Sequence, residues 1–408
     1  MREGRPTPDV VVVGAGVFGA WTAFHLQRAG VRTLLVDAWE PGHARASSAG
    51  ESRIIRSGYG ARRLYTHWAW EALAQWKHWQ EVWGVELYHR LGALWLFARE
   101  DDYARASQAT LRQEGIPVET IAPDELPKRF PQLSPEGIGL AYLEPEGGAL
   151  LAERSVQAVV KAFLASGGRW HLGRVEPPVQ AGAGRLEEIP LADGTRLAAG
   201  SFVFACGPWL PQMFPATLGT FIRVTRQDVF WFGVPAGDTR FSAGTPESGS
   251  LPVWLTEEFY GIPALAGQGF KIADTGLGPP FDPTMGERIP ADAAARQARA
   301  YLAQRFPAMK YAPLLRAHVC QYESTRDGHL LIDRNPAWEN VWLVGGGSGH
   351  GFKLGPKVGQ VVASLVTGET PFDSAPLDFA RGRQGRPVPP EELRLRPRPA
   401  SALHNPAY

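Results

Sequence analysis

The sequence predicts an α/β fold: a Rossmann-like, doubly wound parallel domain, with an α+β second domain built on an antiparallel sheet. Three observations carry this expectation. Residues 10–37 of the 408-residue chain read VVVVGAGVFGAWTAFHLQRAGVRTLLVD, which parses as strand, glycine turn, helix and strand. Further βα pieces recur at 152–175, 197–205 and 341–366. Between 220 and 321 the runs RVTRQDVFWFGVP, LPVWLTEEFYGIPAL and GQGFKIADTG are aromatic and alternating, as antiparallel strands with one covered face are.

Each element has a local cause. Val10 to Val13 form the β-branched run that a strand buried on both faces requires. Gly14, Gly16 and Gly19 then give G-x-G-x-x-G: a tight turn, close backbone approach to a pyrophosphate, and helix-on-strand packing. Val17, Trp21, Phe24, His25 and Leu26 recur at helical spacing, Gly30 ends the helix, and 33–36 is the second strand. Asp37, about 20 residues past the glycines, is placed to accept from both hydroxyls of an adenosine ribose. The unit specifies FAD or NAD and does not choose between them.

The loop 42–60, GHARASSAGESRIIRSGYG, leads back toward that turn. Its small residues let backbone amides approach an anion. Arg53 and Arg56, three apart, are expected on one side of a helical turn, either holding a phosphate or carboxylate or forming a solvated basic turn. Tyr65, Trp68, Ala72, Trp76, Trp79 and Trp83 fall at helical steps and read as core. GALWLFA is a strand, DDYARASQATLRQEG an amphipathic helix and IAPDELPKRFPQLSP an irregular excursion, so the region to 148 reads as an insertion. A helix at 152–166, a turn and strand at 167–175, and a strand at 197–205 delivered to the CGPW turn return to the parallel sheet. Phe230, Phe232, Trp254, Phe259 and Tyr260 suit either a pocket wall or core. A helix covers 291–306. Finally VWLVGGGSGHGFKLGPKVG reads as strand, glycine turn and helix, with backbone N–H groups and Lys353 aimed at the cradle. The expected domains are 1–84, 149–218 and 323–380 for the nucleotide and 85–148 with 219–322 for the substrate. A basic, proline-rich tail at 381–408 is expected to be extended or disordered.

Composition excludes other classes. With 42 basic and 41 acidic residues the net charge is +1, which gives no electrostatic footprint for nucleic acid or an anionic membrane. Two cysteines make no disulfide framework, no apolar run reaches the length of a membrane span, and MREGRPTPD runs into a strand without a signal-peptide core. A cytoplasmic protein with a small-molecule partner, no nucleic acid, no membrane and no metal is expected, and a monomer is compatible with this.

Five segments, in order across nearly the whole chain, resemble one family: GAGVFG with Asp37, GESRIIRSGYG at 50–60, FYGIPALAGQGFK at 259–271, CQY at 320–322 and GGGSGHGFK at 345–353. They resemble the D-amino-acid-oxidase superfamily of flavoproteins and, more narrowly, its monomeric sarcosine oxidase and N-methyl-tryptophan oxidase branch. The resemblance implies an FAD-binding fold and oxidation of the C–N bond of an amino acid or N-alkyl amino acid to an imine, with O2 reduced to hydrogen peroxide. It implies a covalent bond from Cys320 to the flavin 8α-methyl carbon, with His318, two residues earlier on the same strand face, placed to assist. Arg56 and Lys353 match the pair that clamps the substrate carboxylate, Arg53 the arginine beside the flavin, Lys271 the lysine that activates oxygen, and Tyr260 and Tyr322 the pocket tyrosines. The cofactor set it implies is Gly14, Gly16, Val17, Phe18, Gly19, Asp37, Ser47, Ser48, Arg53, Val175, Cys206, Gly207, Trp209, Cys320, Gly347, Gly349, His350, Gly351, Phe352 and Lys353. Two departures matter: Ala49 and Thr275 stand where sarcosine oxidases carry histidines. The carboxylate end of the site therefore looks intact and the amine end does not. A dehydrogenase passing electrons to a quinone or carrier, and a flavin-binding subunit without turnover, are the alternative readings.

Overall fold

The computed structural model describes residues 7–179 and 184–369. The expected tail at 381–408 lies outside the described residues, as does the end of the nucleotide domain beyond 369.

The fold class is the expected one, and two sheets organise it. The first has six strands in the order Leu331–Arg334, Val341–Gly345, Ser201–Phe204, Val10–Val13, Thr33–Asp37 and Arg169–Leu172. All its neighbours are parallel except the edge hairpin of Leu331–Arg334 with Val341–Gly345. Val13 is level with both Val36 and Phe204, so the three central strands end together and their loops open on one crevice. The helices Val17–Arg28 and Gly355–Thr367 pack closely because glycine permits it: a Cβ on Gly359 would lie 2.5 Å from the Trp21 carbonyl carbon. The tryptophan stripe on the helix Arg63–Trp83 is core. Trp68, Trp76 and Trp79 are buried and Trp76 meets Trp21 edge-to-face at 5.3 Å.

The second sheet has eight strands, ordered Leu314–Thr325, Ile222–Phe232, Phe270–Asp274, Phe259–Ile262, Val253–Leu255, Ala93–Phe97, Leu140–Glu144 and Glu119–Ile121. Its pairs are antiparallel, apart from Val253–Leu255 beside Ala93–Phe97, so the segments 85–148 and 219–322 meet in one sheet. Phe230, Phe232, Trp254 and Phe259 pack with Tyr301 and Phe306 beneath it as core. A three-stranded sheet of Ser52–Ile55, Gly148–Leu151 and Tyr88–Arg90 completes the scaffold around the site.

Three local expectations are corrected. Arg53 and Arg56 do not share a helical turn: Ser52–Ile55 is a strand, because two consecutive isoleucines and pairing with Gly148–Leu151 outweigh an i, i+3 spacing that is compatible with either structure. The run 197–205 divides at Gly200, with Arg196–Ala198 in a hairpin with Glu188–Pro190 and Ser201–Phe204 in the parallel sheet. The excursion after 120 contains the last residue of a short strand, Glu119–Ile121, and one helical turn, Leu126–Arg129. Among the described residues no helix is long and apolar enough to cross a membrane, and no cluster of three or more His, Cys, Asp or Glu is arranged to hold a metal ion.

Candidate active site

A cavity of about 630 Å³ is lined from both sheets. At one end Gly14 has φ +104°, and a Cβ there would lie 2.4 Å from the Ala205 carbonyl oxygen, so the turn admits glycine alone. Asp37 accepts from the backbone N–H of Ala15 at 2.6 Å and of Trp39 at 3.0 Å, which leaves a lone pair on each oxygen for a further donor. Its burial raises its pKa. Ser48 Oγ accepts from Val17 N–H at 3.0 Å, and Ser47 donates to the Gln321 carbonyl at 3.1 Å, tying the loop to the long strand Leu314–Thr325. Val175, Cys206, Gly207 and Trp209 complete this end; burial pushes the Cys206 thiol pKa up, and the Trp39 and Trp209 rings lie 5.0 Å apart. A turn without side chains, a buried acidic acceptor and an aromatic wall fit the adenosine half of FAD.

At the other end two pairs of cations face the cavity. Arg53 donates to the carbonyls of Ser47 at 2.8 Å, Ala49 at 2.6 Å and Ser52 at 2.7 Å, and its Nη2 lies 3.9 Å from Cys320 Sγ. Lys271, 4% exposed, donates to the same Ser52 carbonyl at 2.6 Å and lies 5.4 Å from the Trp231 ring centre. Burial, reinforced by the Arg53 charge, lowers its pKa to about 7. The second pair shares one aromatic ring: Tyr59 has the Arg56 guanidinium 4.1 Å and the Lys353 ammonium 5.1 Å from its centre. Lys353 donates to the His350 carbonyl at 2.9 Å, and burial, then Arg56, holds its pKa well below that of an ordinary lysine. Arg56 also donates to the Gly58 carbonyl. Glu144 balances this corner, accepting from the N–H groups of Ser57 at 2.5 Å and Gly58 at 3.1 Å and from Trp95 Nε1 at 2.7 Å.

In the same cavity the hydroxyls of Tyr260 and Tyr322 lie 3.3 Å apart, and burial raises the pKa of both. His318 faces the same cavity, its pKa lowered by burial and then by Arg53. The glycine turn fits against Tyr322, since a Cβ on Gly349 would lie 2.9 Å from that ring. Trp76 donates to the Lys353 carbonyl at 2.8 Å and its ring stacks on Phe352, so the tryptophan stripe also supports the turn.

Every catalytic and cofactor residue that the resemblance assigned lines this cavity except Gly19, whereas Phe230, Phe232, Trp254 and Phe259 do not. Gly19 acts beneath it: a Cβ there would lie 1.8 Å from the Gly14 carbonyl oxygen, so only glycine lets the helix seat on the turn. Ala49 and Thr275 also line the cavity, Thr275 donating to the Glu257 carbonyl at 2.6 Å. Sequence reasoning missed Tyr59, Trp95, Trp231, Glu144 and Glu323. Strand alternation at 229–232 separates Val229 and Trp231 from Phe230 and Phe232, but four apolar residues do not reveal which face meets the cavity.

Fold and site together define a flavin-dependent redox enzyme. Residues 9–365 match the FAD dependent oxidoreductase family, and the chain belongs to it. It is 29% identical over 384 residues to the peroxisomal sarcosine oxidase of Homo sapiens, covering 91% of this chain and 96% of that one. It is 30% identical over 379 residues to the monomeric sarcosine oxidase of Streptomyces avermitilis, covering 90% and 95%. Among solved structures, the L-proline dehydrogenase of P. horikoshii shares the fold with a TM-score of 0.80 at 20% identity, covering 94% of this chain and all of that one.

Proposed function

We propose that the chain is an oxidase of amino acids or N-alkyl amino acids, converting the C–N bond beside a carboxylate to an imine and O2 to hydrogen peroxide. The observation that carries this reading is the separation of buried cations into two pairs, Arg56 with Lys353 around Tyr59, and Arg53 with Lys271 around the Ser52 carbonyl. When bound, FAD supplies the acceptor for two electrons from the amine and the donor of two electrons to O2. Arg56 and Lys353 bind the substrate carboxylate, for which a charge-assisted pair in a water-poor corner is suited. Tyr260 and Tyr322 orient the amine end, where Ala49 and Thr275 leave a surface unlike that of a sarcosine oxidase. Lys271 holds a positive charge where oxygen gains electrons, without reorganisation at the moment of transfer.

The reading includes a covalent link through Cys320, whose sulfur lines the cavity 3.9 Å from Arg53 Nη2. It also includes a cytoplasmic location, in keeping with two cysteines that are both free, and is compatible with a monomer. A panel of amino acids and N-methyl amino acids, followed by peroxide release, tests the proposal. Turnover with peroxide supports it. Bleaching of the flavin without peroxide replaces it with a dehydrogenase, and no bleaching by any amine replaces it with a flavin-binding subunit.

A further inference from the structure

Glu323 has no part in the roles above, yet it lines the cavity. It follows Tyr322 on the strand Leu314–Thr325 and projects to the opposite side, toward the loops that leave Ser201–Phe204 and Val341–Gly345. Cβ atoms placed on Gly207, Gly345 and Gly347 would lie 3.9, 3.5 and 3.5 Å from its carboxyl oxygens. The residue is 7% exposed. Its Oε1 accepts from Gly347 N–H at 3.3 Å, while Oε2 is buried with no hydrogen-bond partner. A buried polar atom left unpaired is costly, and here it borders a cavity rather than packed core. Its place along the cavity is fixed by its neighbours. Cys206 lies within electrostatic reach of both Asp37 and Glu323, and Glu323 is three residues from Cys320 on one strand.

We propose that Glu323 is a further cofactor-binding residue, its Oε2 hydrogen-bonding an oxygen in the polyol and pyrophosphate span that joins the two ends of the bound dinucleotide. That span crosses the crevice at the ends of the central parallel strands, which is where the Gly207 and Gly347 loops bring this carboxyl. The inference depends on FAD and not on the identity of the amine.

The charge state follows from the surroundings. Burial raises the Glu323 pKa to about 8, with the Gly347 N–H opposing it. On its own strand it is flanked by Tyr322 and Ser324. On the neighbouring strand Arg223 and Thr225 flank Val224, its partner in register. Cys206 faces it from one loop, and Ser348, His350 and Lys353 belong to the other. Among the described residues no guanidinium or ammonium pairs with it. At neutral pH most of the carboxyl is therefore protonated and donates to a ligand oxygen; once ionised it repels the pyrophosphate.

FAD affinity, read by quenching of flavin fluorescence from pH 6.5 to 9.5, tests this without turnover. The parent is Cys320→Ala, in which the flavin exchanges freely. The parent Kd should be level below pH 8 and rise about tenfold per unit above it, the slope expected when one proton must be bound. Glu323→Gln keeps the shape and a neutral donor, so its Kd should stay within about threefold of the parent at pH 7 and remain level at high pH. Glu323→Leu should bind FAD about tenfold more weakly at pH 7, the loss of a single hydrogen bond. A Gln variant whose Kd rises with pH as the parent's does, or a Leu variant binding as tightly as the parent at pH 7, would overturn the assignment.

Discussion

Replacing Lys271 with methionine should make the protein more stable and slower to react with oxygen. The displacement of its pKa from 10.5 to about 7 corresponds to roughly 4–5 kcal/mol by which the fold disfavours the ammonium, at ~1.4 kcal/mol per pH unit. Methionine has a similar length and no charge, but it removes the 2.6 Å charged donor that the Ser52 carbonyl has beside Arg53, a loss of about 1–3 kcal/mol. The net gain at pH 7 is therefore about 1–4 kcal/mol, and a rise in Tm of several degrees at about 1–2 °C per kcal/mol for a chain of this size. The sign has a pH window. The folded-state pKa lies below the unfolded one, so the penalty is fully present below pH 7 and fades as pH rises toward 10.5; the stability difference between variant and wild type should shrink over that range. In stopped flow, anaerobic reduction by substrate should be nearly unchanged, while reoxidation by O2 slows by about 10²- to 10³-fold, the range for losing one preorganised charge. A variant that is less stable, with reoxidation as fast as wild type, would mean that Lys271 is a packing residue and that the oxidase reading has lost its oxygen site.

Three further outcomes are expected. Cys320→Ala should release the yellow colour to the supernatant on acid precipitation, whereas wild type keeps it in the pellet; colour in the wild-type supernatant contradicts a covalent flavin. Tyr59→Leu removes the ring shared by Arg56 and Lys353 and should raise the substrate Kd for flavin reduction by about 10- to 30-fold, with Phe close to wild type, as expected for ~2 kcal/mol of desolvated cation–π contact. Gly19→Ala places a Cβ 1.8 Å from the Gly14 carbonyl oxygen, so the purified variant should lose its flavin absorbance relative to protein; a fully loaded variant would show that the turn can relax.

What was legible in the sequence was local. Val10 to Asp37 announces its strands, turn and helix through β-branching, glycine conformation and helical spacing, each set by neighbours in sequence. The site was legible only as loops. Glu144 receives the N–H groups of Ser57 and Gly58 across 86 or 87 positions of the chain, and no spacing rule reports such a pairing. Period-two alternation found the strand Ile222–Phe232 but pointed to Phe230 and Phe232, when Trp231 is the side chain that meets Lys271. Arg53 and Arg56 show the same limit: three residues apart suits a helix, yet pairing with Gly148–Leu151 makes their segment a strand that still delivers both to one cavity. Alternation identifies faces and leaves partners open. For that reason the parallel seam between Val253–Leu255 and Ala93–Phe97 had no signal at all.

The central claim is that Arg56 and Lys353 hold a carboxylate so that the neighbouring C–N bond is the one oxidised. Its most direct test is anaerobic flavin reduction by an N-methyl amino acid from the active panel, compared with the methyl ester of the same compound. The acid should bleach the flavin, and the ester should need about 10- to 100-fold higher concentration, the loss of one charge-assisted hydrogen bond. Equal reduction by acid and ester would contradict the account.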